Sequence, residues 1–307
     1  MSQASRPALH KLSAKVLFNR AEPGDQYVIR FHAPQLAQRC QPGHFVQVDC
    51  GPTTTLPRPL SILDADAQAG TVDIFYKVVG RGTDVMRQWQ PGTEVVLMGP
   101  IGRIFDPIEA PKQALLIGGG VGAAPVDFMA RSLAKRGVAT TLFLGMESES
   151  PFPLETATTP LPGIDHQTNM ALAKLQTQGI NSRVAALTPR TGWFQGYVTD
   201  LASHYLAALS DAERAQTLLY TCGPTPMMAA AYRVAKQFGL RGQASMEEHM
   251  ACGFGGCAGC VAPIRVGGEM GWNYRRVCVD GPVFDLDDIA WEEMGYPIPK
   301  AQPCGCT

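Results

Sequence analysis

The chain has 307 residues, which exceeds one average domain and predicts two or three compact units. Apolar residues make up 45% of the chain and charged residues 17%, a composition typical of a folded globular protein and not of a disordered one. The formal net charge of -1 gives no electrostatic reason to expect nucleic acid or an anionic membrane as the main partner.

The sequence contains no apolar run of the length that a signal peptide or a membrane-spanning helix requires. We therefore expect a cytoplasmic protein. Most of the nine cysteines lie in the last quarter of the chain. In a reducing compartment, such crowding favours a metal centre over disulfide bonds.

Short alternating or apolar runs fill residues 11–105, and turn dipeptides such as Pro42-Gly43 and Pro91-Gly92 separate several of them. This pattern predicts a small antiparallel barrel or sandwich. The predicted strands include Tyr27–Phe31, His44–Val48, Val72–Val78 and Glu94–Leu97.

After Pro111 the pattern changes to strands that alternate with helices, which predicts a parallel, doubly wound sheet. A segment rich in Thr, Pro and Ser, about residues 147–180, is longer than most connections, and we interpret it as an insertion. The predicted strands are Ala114–Ile117, Thr140–Leu144, Val184–Leu187 and Thr217–Thr221, and the predicted helices are Ala123–Arg136, Val198–Leu209 and Met227–Phe238.

From Ala244 onward, Cys and Gly dominate a unit that is too small to build an adequate core without a stabilising metal. We therefore predict three domains in a multidomain α+β chain. They cover residues 8–108, residues 109–243 with the insertion, and residues 244–307.

Four cysteines in the third unit have the spacing of a plant-type [2Fe-2S] site. Cys252-x4-Cys257-x2-Cys260 is followed at a distance by Cys278. The chain must wrap tightly to bring four thiolates onto two irons, and glycines permit the backbone conformations that this needs. These glycines are Gly253, Gly255, Gly256 and Gly259.

A structural zinc site with four cysteine ligands is the competing interpretation. Zinc sites of this kind normally use two closely spaced cysteine pairs, whereas Cys278 has no nearby cysteine in the sequence. The spacing therefore favours iron and sulfide. We expect Cys40 and Cys50 to pack as small apolar residues. We expect Cys304 and Cys306 to be free thiols in a frayed tail that bind no metal.

Two groups of residues in the first unit suit a cofactor that has a phosphate and a ring. Arg58-Pro59-Leu60-Ser61 offers a cation, a fixed backbone and a hydroxyl. Phe75-Tyr76-Lys77 and Gly82-Thr83 add an aromatic surface, a second cation and a tight turn. Each group alone has an ordinary structural explanation, and for Tyr76 this is core packing.

Two further motifs lie at the ends of strands in the second unit, where open α/β sheets bind ligands. The run Gly118-Gly119-Gly120-Val121-Gly122 stands between a strand and a helix, where free N–H groups favour a diphosphate. Cys222-Gly223-Pro224 ends a later strand. Its thiol suits contact with a nicotinamide ring, although a lone cysteine is more often buried and inert.

Taken together, these motifs and Gly80-Arg81-Gly82-Thr83 resemble the ferredoxin-NADP reductase family in their order, over about residues 11–240. The tail narrows the resemblance. Met246–Gly253, the cysteines and Val277–Phe284 resemble the electron transfer subunit of B-type dihydroorotate dehydrogenase.

The resemblance implies a barrel that binds FAD through Arg58–Ser61, Phe75–Lys77 and Gly82-Thr83. It implies an NAD(H)-binding domain and a C-terminal [2Fe-2S] domain on the four cysteines. It further implies a partner subunit with FMN that oxidises dihydroorotate to orotate in pyrimidine biosynthesis, in a heterotetramer of two plus two. No residue of this chain then needs to act as a catalytic acid or base, because the cofactors perform the chemistry.

Other interpretations stay open at this point. Leu187–Trp193 replaces an acidic, glycine-containing stretch common in relatives, so the choice between NAD and NADP is open. The same cofactors would also suit a reductase subunit of a sulfide dehydrogenase, a glutamate synthase-like enzyme or a hydrogenase. A zinc-stabilised binding protein without catalytic activity is the third alternative. We interpret Glu247, Glu248 and His249 as a polar face near an interface.

Overall fold

The structure is a computed structural model that describes residues 9–106, 111–147, 149–267 and 271–297. Two short helices, α1 (Pro34–Ala37) and α2 (Arg81–Met86), accompany the six strands of the first part. The strands are β1 (His10–Glu22), β2 (Gln26–His32), β3 (Phe45–Val48), β4 (Arg58–Asp66), β5 (Thr71–Lys77) and β6 (Glu94–Ile101). They form a closed antiparallel barrel in the order β1-β2-β5-β4-β3-β6, which decides between the barrel and the sandwich.

The barrel interior is filled by apolar side chains that alternate along the strands, as the period of a strand requires. The predicted turn at Pro42-Gly43 leads into β3. Gly43 has φ +100, and a Cβ there would lie 2.8 Å from the backbone N of Phe105. Glycine is therefore needed at this turn both for its conformation and for close packing.

The rest of the described chain contains eleven strands, six α-helices and two short 3-10 helices, Gly120–Gly122 and Trp291–Met294. The strands are β7 (Gln113–Gly119), β8 (Ala139–Gly145), β9 (Leu154–Thr156), β10 (Met170–Leu172), β11 (Asn181–Ala186), β12 (Phe194–Gln195), β13 (Thr217–Cys222), β14 (Arg241–Ser245), β15 (Val261–Arg265), β16 (Trp272–Arg276) and β17 (Val283–Asp285). The helices are α3 (Ala123–Lys135), α4 (Ala173–Gln176), α5 (Val198–Ala207), α6 (Asp211–Ala215), α7 (Thr225–Phe238) and α8 (Val277–Asp280).

Seven of these strands form one sheet in the order β12-β11-β8-β7-β13-β14-β17. All neighbours are parallel except β14 and β17, which pair antiparallel. Strands such as β13 are buried along their whole length, as expected when helices cover both faces of a sheet. The predicted parallel sheet and the mixed α+β fold class are thus confirmed.

The helix boundaries follow local signals in the sequence. Helix α7 begins directly after Pro224 with a proline in its first turn, a position where the missing N–H has no cost. It ends at Gly239, which has φ +69 and supplies the left-handed residue that closes many helices. The predicted stop at Gly239 is confirmed.

The segment of about residues 147–180 has secondary structure of its own. Strands β9 and β10 form a small antiparallel ribbon, and α4 follows directly. Leu161, Leu172 and Leu175 are buried in the main core. The segment is therefore packed onto the domain, while its interpretation as an insertion stays a prediction.

The C-terminal part of the chain contributes a strand to the seven-stranded sheet. Strand β14 crosses the predicted boundary between residues 243 and 244, and β17 pairs with it from the far side of the cysteine region. Strands β15 and β16 form a separate ribbon beside it. The exact domain boundaries stay a prediction, and Cys304 and Cys306 lie outside the described residues. Among the described helices, none has the length and apolar character needed to cross a membrane.

Candidate cofactor cleft and metal centre

A large cleft with a volume of about 1090 Å³ lies where the barrel meets the parallel sheet. Three parts of the chain form its walls: strands β4 and β5, the loops at the carboxyl ends of the parallel strands, and Ser245–Met250, which leads into the cysteine region. Small-molecule sites usually measure roughly 300–1,000 Å³, so this cleft has room for a dinucleotide.

The barrel wall contains most of the residues predicted there. Arg58–Ser61, Phe75–Lys77 and Thr83 all line the cleft. Gly82 does not, because the space that its side chain would fill is occupied by the guanidinium of Arg58. The Thr83 hydroxyl accepts N–H groups from the two residues before α2, at 3.0 and 3.3 Å. Arg58 packs against Gly82 in the first turn of α2, and its Nη1 donates to the carbonyl oxygen of Leu56 at 2.6 Å.

The two aromatic residues of this wall have different surroundings. Tyr76 is buried in the barrel, where its ring stacks on Tyr27 at 5.4 Å and its hydroxyl donates to Asn19 Oδ1. The Tyr76 side chain therefore packs in the barrel core, which is the structural explanation given for it in the sequence analysis. Phe75 packs on Phe152 with 5.1 Å between ring centroids, and both residues line the cleft.

The glycine run after β7 divides into residues that face the cleft and residues that pack behind it. Gly119, Gly120 and Val121 line the cleft. A Cβ on Gly118 would lie 2.6 Å from Leu144 Cδ2, and one on Gly122 would overlap the backbone of Cys222. No side chain caps the start of α3. The 3-10 turn Gly120–Gly122 leads directly into the helix, and the Ala123 N–H bonds to carbonyls of this turn. The positive end of the helix dipole therefore lies at the cleft, where it favours an anion.

At the end of β13, Gly223 and Pro224 line the cleft, whereas the Cys222 side chain is fully buried. Gly223 has φ +154, and a Cβ there would lie 2.9 Å from the carbonyl oxygen of Gly119, so the two loops touch. Burial raises the pKa of Cys222 well above its ordinary value, with a further contribution from Glu247. The thiol is consequently protonated and shielded in this structure.

Several cleft residues were missed by the sequence analysis because they belong to no recognisable motif. Met146 directly precedes the supposed insertion, and Glu147 and Phe152 belong to it. The Glu147 carboxylate lies 3.7 Å from the Lys77 ammonium. Tyr197 lines the cleft as well, and so do Leu187 and Thr188 of the segment already discussed for the choice of nucleotide. Only their position after parallel strands could have indicated them.

Glu247, Glu248 and His249 also line the cleft, so they face a binding site as well as the surface. Burial raises the pKa of Glu247 above its ordinary value. Burial also raises the pKa of Glu248, and this effect exceeds the lowering caused by His249. A charged carboxylate is therefore less stable here than in water.

The four predicted cysteines are brought together in two pairs. The Sγ atoms of Cys252 and Cys257 lie 3.4 Å apart, and the Cys260 thiol interacts with that of Cys278. Burial raises the pKa of Cys252, but N–H groups of the loop outweigh this and lower it to about 6. These donors come from Phe254, Gly256 and Cys257. The loop thereby favours a thiolate, the form that binds metal.

This pairing distinguishes the two kinds of metal centre. In a [2Fe-2S] cluster each iron takes two cysteines, whereas a zinc ion requires all four around one point. The donor set and its two pairs therefore fit a two-iron cluster better than zinc.

A groove of about 410 Å³ connects the cleft with the cysteine loop. Leu56–Pro59 of the barrel form one side, and Glu248–Ala251 with Gly259 form the other. Arg58 and Pro59 line both the cleft and the groove. A cofactor on the barrel wall and a cluster on the cysteines would thus be neighbours, which short-range electron transfer requires.

Comparison with known families agrees with this arrangement. Residues 116–233 match the family described as oxidoreductase NAD-binding domain. Residues 247–290 match the iron-sulfur cluster binding domain of dihydroorotate dehydrogenase B. The fold and the site thus define an NAD-binding oxidoreductase with an iron-sulfur domain.

Whole-chain similarity identifies the family. The chain is 32% identical to the electron transfer subunit of dihydroorotate dehydrogenase B (NAD(+)) from Desulforamulus reducens, covering 91% of this chain and 98% of the relative. It is 30% identical to the corresponding subunit from Caldanaerobacter subterraneus subsp. tengcongensis, with the same coverage. The chain belongs to the family of dihydroorotate dehydrogenase B electron transfer subunits.

A solved structure supports the fold independently. The chain superposes on a NADH-dependent reduced ferredoxin-NADP oxidoreductase with a TM-score of 0.74, at 24% identity and 92% coverage of both chains. A ferredoxin NADP+ reductase from Neisseria gonorrhoeae gives a TM-score of 0.58 at 14% identity over 75% of this chain. The reductase-type arrangement of barrel and parallel sheet is therefore shared with both.

Proposed function

We propose that this chain passes electrons between NAD(H) and a partner catalytic subunit through FAD and a [2Fe-2S] cluster. The observation that carries the proposal is the single cleft that joins the barrel wall, the glycine turn and the segment entering the cysteine region. When bound, nicotinamide exchanges two electrons as hydride, the cluster exchanges one, and a flavin accepts either mode. The task of the chain is to hold the three groups close together.

The cluster would be held by Cys252, Cys257, Cys260 and Cys278. Cys260 and Cys278 are buried, whereas Cys257 is exposed. The N–H groups that stabilise the Cys252 thiolate would continue to donate to sulfur in the loaded protein, and such donors help to set the reduction potential. The exposed side at Cys257 is the edge through which electrons can leave the chain.

FAD would lie on the barrel wall. Arg58, held against the start of α2, supplies a fixed cation for its phosphates, and Lys77 supplies a second. Ser61 offers a hydroxyl to the ring system, and Phe75 with Phe152 covers it from one side. Pro59, Leu60, Tyr76, Gly82 and Thr83 shape the backbone around these groups.

NAD(H) would lie on the sheet side of the same cleft. The turn at Gly120 and Val121 suits its diphosphate, because the positive end of α3 points there. Gly119, Gly223 and Pro224 form the floor, and Gly118 and Gly122 allow the turn to pack closely. We propose that the buried Cys222 side chain lies behind the nicotinamide and does not form part of the cleft surface.

We infer that the partner subunit holds FMN and oxidises dihydroorotate to orotate, since the family relatives carry that enzyme's name. Oxidation releases two electrons and two protons, and NAD+ takes both electrons with one proton. We further propose a two-plus-two heterotetramer in the cytoplasm. The exposed edge at Cys257, flanked by Phe254 at 53% exposure, suits a docking surface for the partner.

The cofactor content tests the first part of the proposal. Protein purified without oxygen should contain about two irons and two sulfides per chain together with FAD. Cys257→Ser should lose the visible and electron paramagnetic resonance signals of the cluster, whereas Cys40→Ser should keep them. A colourless protein that holds zinc and neither iron nor flavin would contradict the redox function.

Anaerobic stopped-flow measurements test the direction and the nucleotide. NADH should reduce the flavin band first and the cluster band afterwards, and NADPH serves as the comparison. The same protein, mixed with an FMN-containing dihydroorotate-oxidising subunit, should support dihydroorotate-dependent formation of NADH. A protein whose flavin responds to neither nucleotide would overturn the assignment of the glycine turn, and failure only with the partner would overturn the partner.

A further inference from the structure

A buried glutamine in the barrel faces the cysteine loop. Gln47 lies in β3, paired in register with Pro59 of β4 and with Met98 of β6. Its neighbours Val46 and Val48 point into the barrel core. Since successive side chains of a strand point to opposite faces, the Gln47 side chain leaves the barrel on its outer face.

On that outer face, Gln47 contacts the loop at Gly253, the residue after the cluster ligand Cys252. A Cβ on Gly253 would lie 2.5 Å from Nε2 of Gln47 and 2.7 Å from its Cγ. Gly253 also has φ +75, which favours glycine independently. The carboxamide therefore occupies the space beside the loop that any larger residue would fill.

The carboxamide of Gln47 is buried but unsatisfied. Its side chain belongs to a residue that is 1% exposed, and within the described residues neither Nε2 nor Oε1 has a hydrogen-bond partner. Buried amides in native proteins nearly always have partners. Other buried glutamines follow this rule: Gln243 accepts from the N–H of Asp106 and donates to Asp285.

We propose that the Gln47 amide donates a hydrogen bond to a sulfur of the [2Fe-2S] cluster on the Cys252 side. This inference rests on the proposed function, because the missing partner is the cluster itself. A donor to sulfur stabilises the reduced, more negative cluster and raises its reduction potential. Gln47 is thus a positioning and tuning residue.

The location of Gln47 gives this bond a second consequence. The strand that carries it is hydrogen-bonded to Arg58–Ser61, the segment that we assign to the flavin. One residue thereby connects the backbone under the flavin with the loop around the cluster.

The reduction potential of the cluster in the full chain tests the proposal. Gln47→Met keeps the side-chain length and removes the donor, so the midpoint potential should shift to a more negative value. Gln243→Met is the matched control, because it removes a buried glutamine whose partners are Asp106 and Asp285. The midpoint potential of the cluster in this variant should equal that in the wild type. Equal potentials in Gln47→Met and the wild type would overturn the proposal.

A spectroscopic measurement on the wild type does not depend on how well the variants fold. With 15N in the glutamine side-chain amides, pulsed electron paramagnetic resonance of the reduced cluster should detect a coupled 15N nucleus. The absence of this coupling would overturn the proposal while leaving the proposed function intact. A wild-type protein without any cluster signal would overturn the proposed function and this inference with it.

Discussion

Arg131 Nη1 of helix α3 lies 2.7 Å from Oδ1 of Asp64 in barrel strand β4. The same guanidinium contacts Asp127, one turn earlier in α3, at 2.6 Å. Arg131 is 4% exposed, so this pair of contacts is shielded from solvent. On the other side, Lys174 of α4 reaches Asp64 at 3.5 Å. Asp64 therefore connects the barrel to helices α3 and α4.

Replacing Arg131 by methionine should destabilise the protein strongly. The substitution leaves the buried Asp127 carboxylate without its cation, and breaking such a pair costs about 3–5 kcal/mol. Urea unfolding should show a lower midpoint than that of the wild type. Arg136→Met, at the exposed end of the same helix, is the control. Similar midpoints for both variants would contradict the role of Arg131.

The Asp64 contact predicts a pH dependence of stability. Burial raises the pKa of Asp64, but the charges of Arg131 and Lys174 together outweigh it, so the pKa lies below its ordinary value. The stabilisation is therefore complete above the unfolded pKa of about 3.9 and is lost as the pH falls through the lower folded pKa.

The stability difference between wild type and Asp64→Asn should consequently stay constant between roughly pH 5 and 7 and narrow below about pH 4. Urea midpoints across this range measure it. A difference that grows toward acid pH would have the wrong sign for this ion pair.

Gly122→Ala should disturb the glycine turn from behind. The added Cβ would overlap the backbone of Cys222, and overpacking of this kind costs roughly 1–3 kcal/mol. The displaced turn should slow flavin reduction by NADH roughly tenfold to a hundredfold, since reacting groups must be held in place. Reduction of the cluster by dithionite should be unchanged. Gly267→Ala is the control, because its added methyl group would point into open space.

Cys222 should resist alkylation in the folded protein. Its thiol is fully buried and burial raises its pKa, so at pH 8 little thiolate is present to react. Peptide mass spectrometry after iodoacetamide treatment should find Cys222 unmodified in native protein and modified after unfolding. Rapid labelling in the native state would show that the end of β13 opens more readily than its packing indicates.

Local sequence determined much of the fold and predicted the metal ligands. The change from alternating strands to βα units, the stop at Gly239 and the cysteine spacing from Cys252 to Cys278 are all encoded within short stretches. Backbone stereochemistry and hydrophobic periodicity act over a few residues, so these features are readable without a structure. The barrel, the parallel sheet and the family were predicted from them.

Only the tertiary structure decided which residues face the cleft. It buried Cys222 and Tyr76, brought Phe152 onto Phe75, and returned β17 to the sheet after the cysteine loop. These outcomes depend on contacts between residues far apart in the chain, which no local pattern records.

Gln47 is the clearest case of this limit. In the sequence it is one polar residue in an apolar strand, and nothing nearby indicates a role. The fold brings its amide against Gly253, more than two hundred residues later, with both polar atoms unpaired. The sequence by itself thus predicted which cysteines would hold the cluster. The packing of the barrel on their loop determined which side chain lies beside it, because that contact exists only after the long-range elements have assembled.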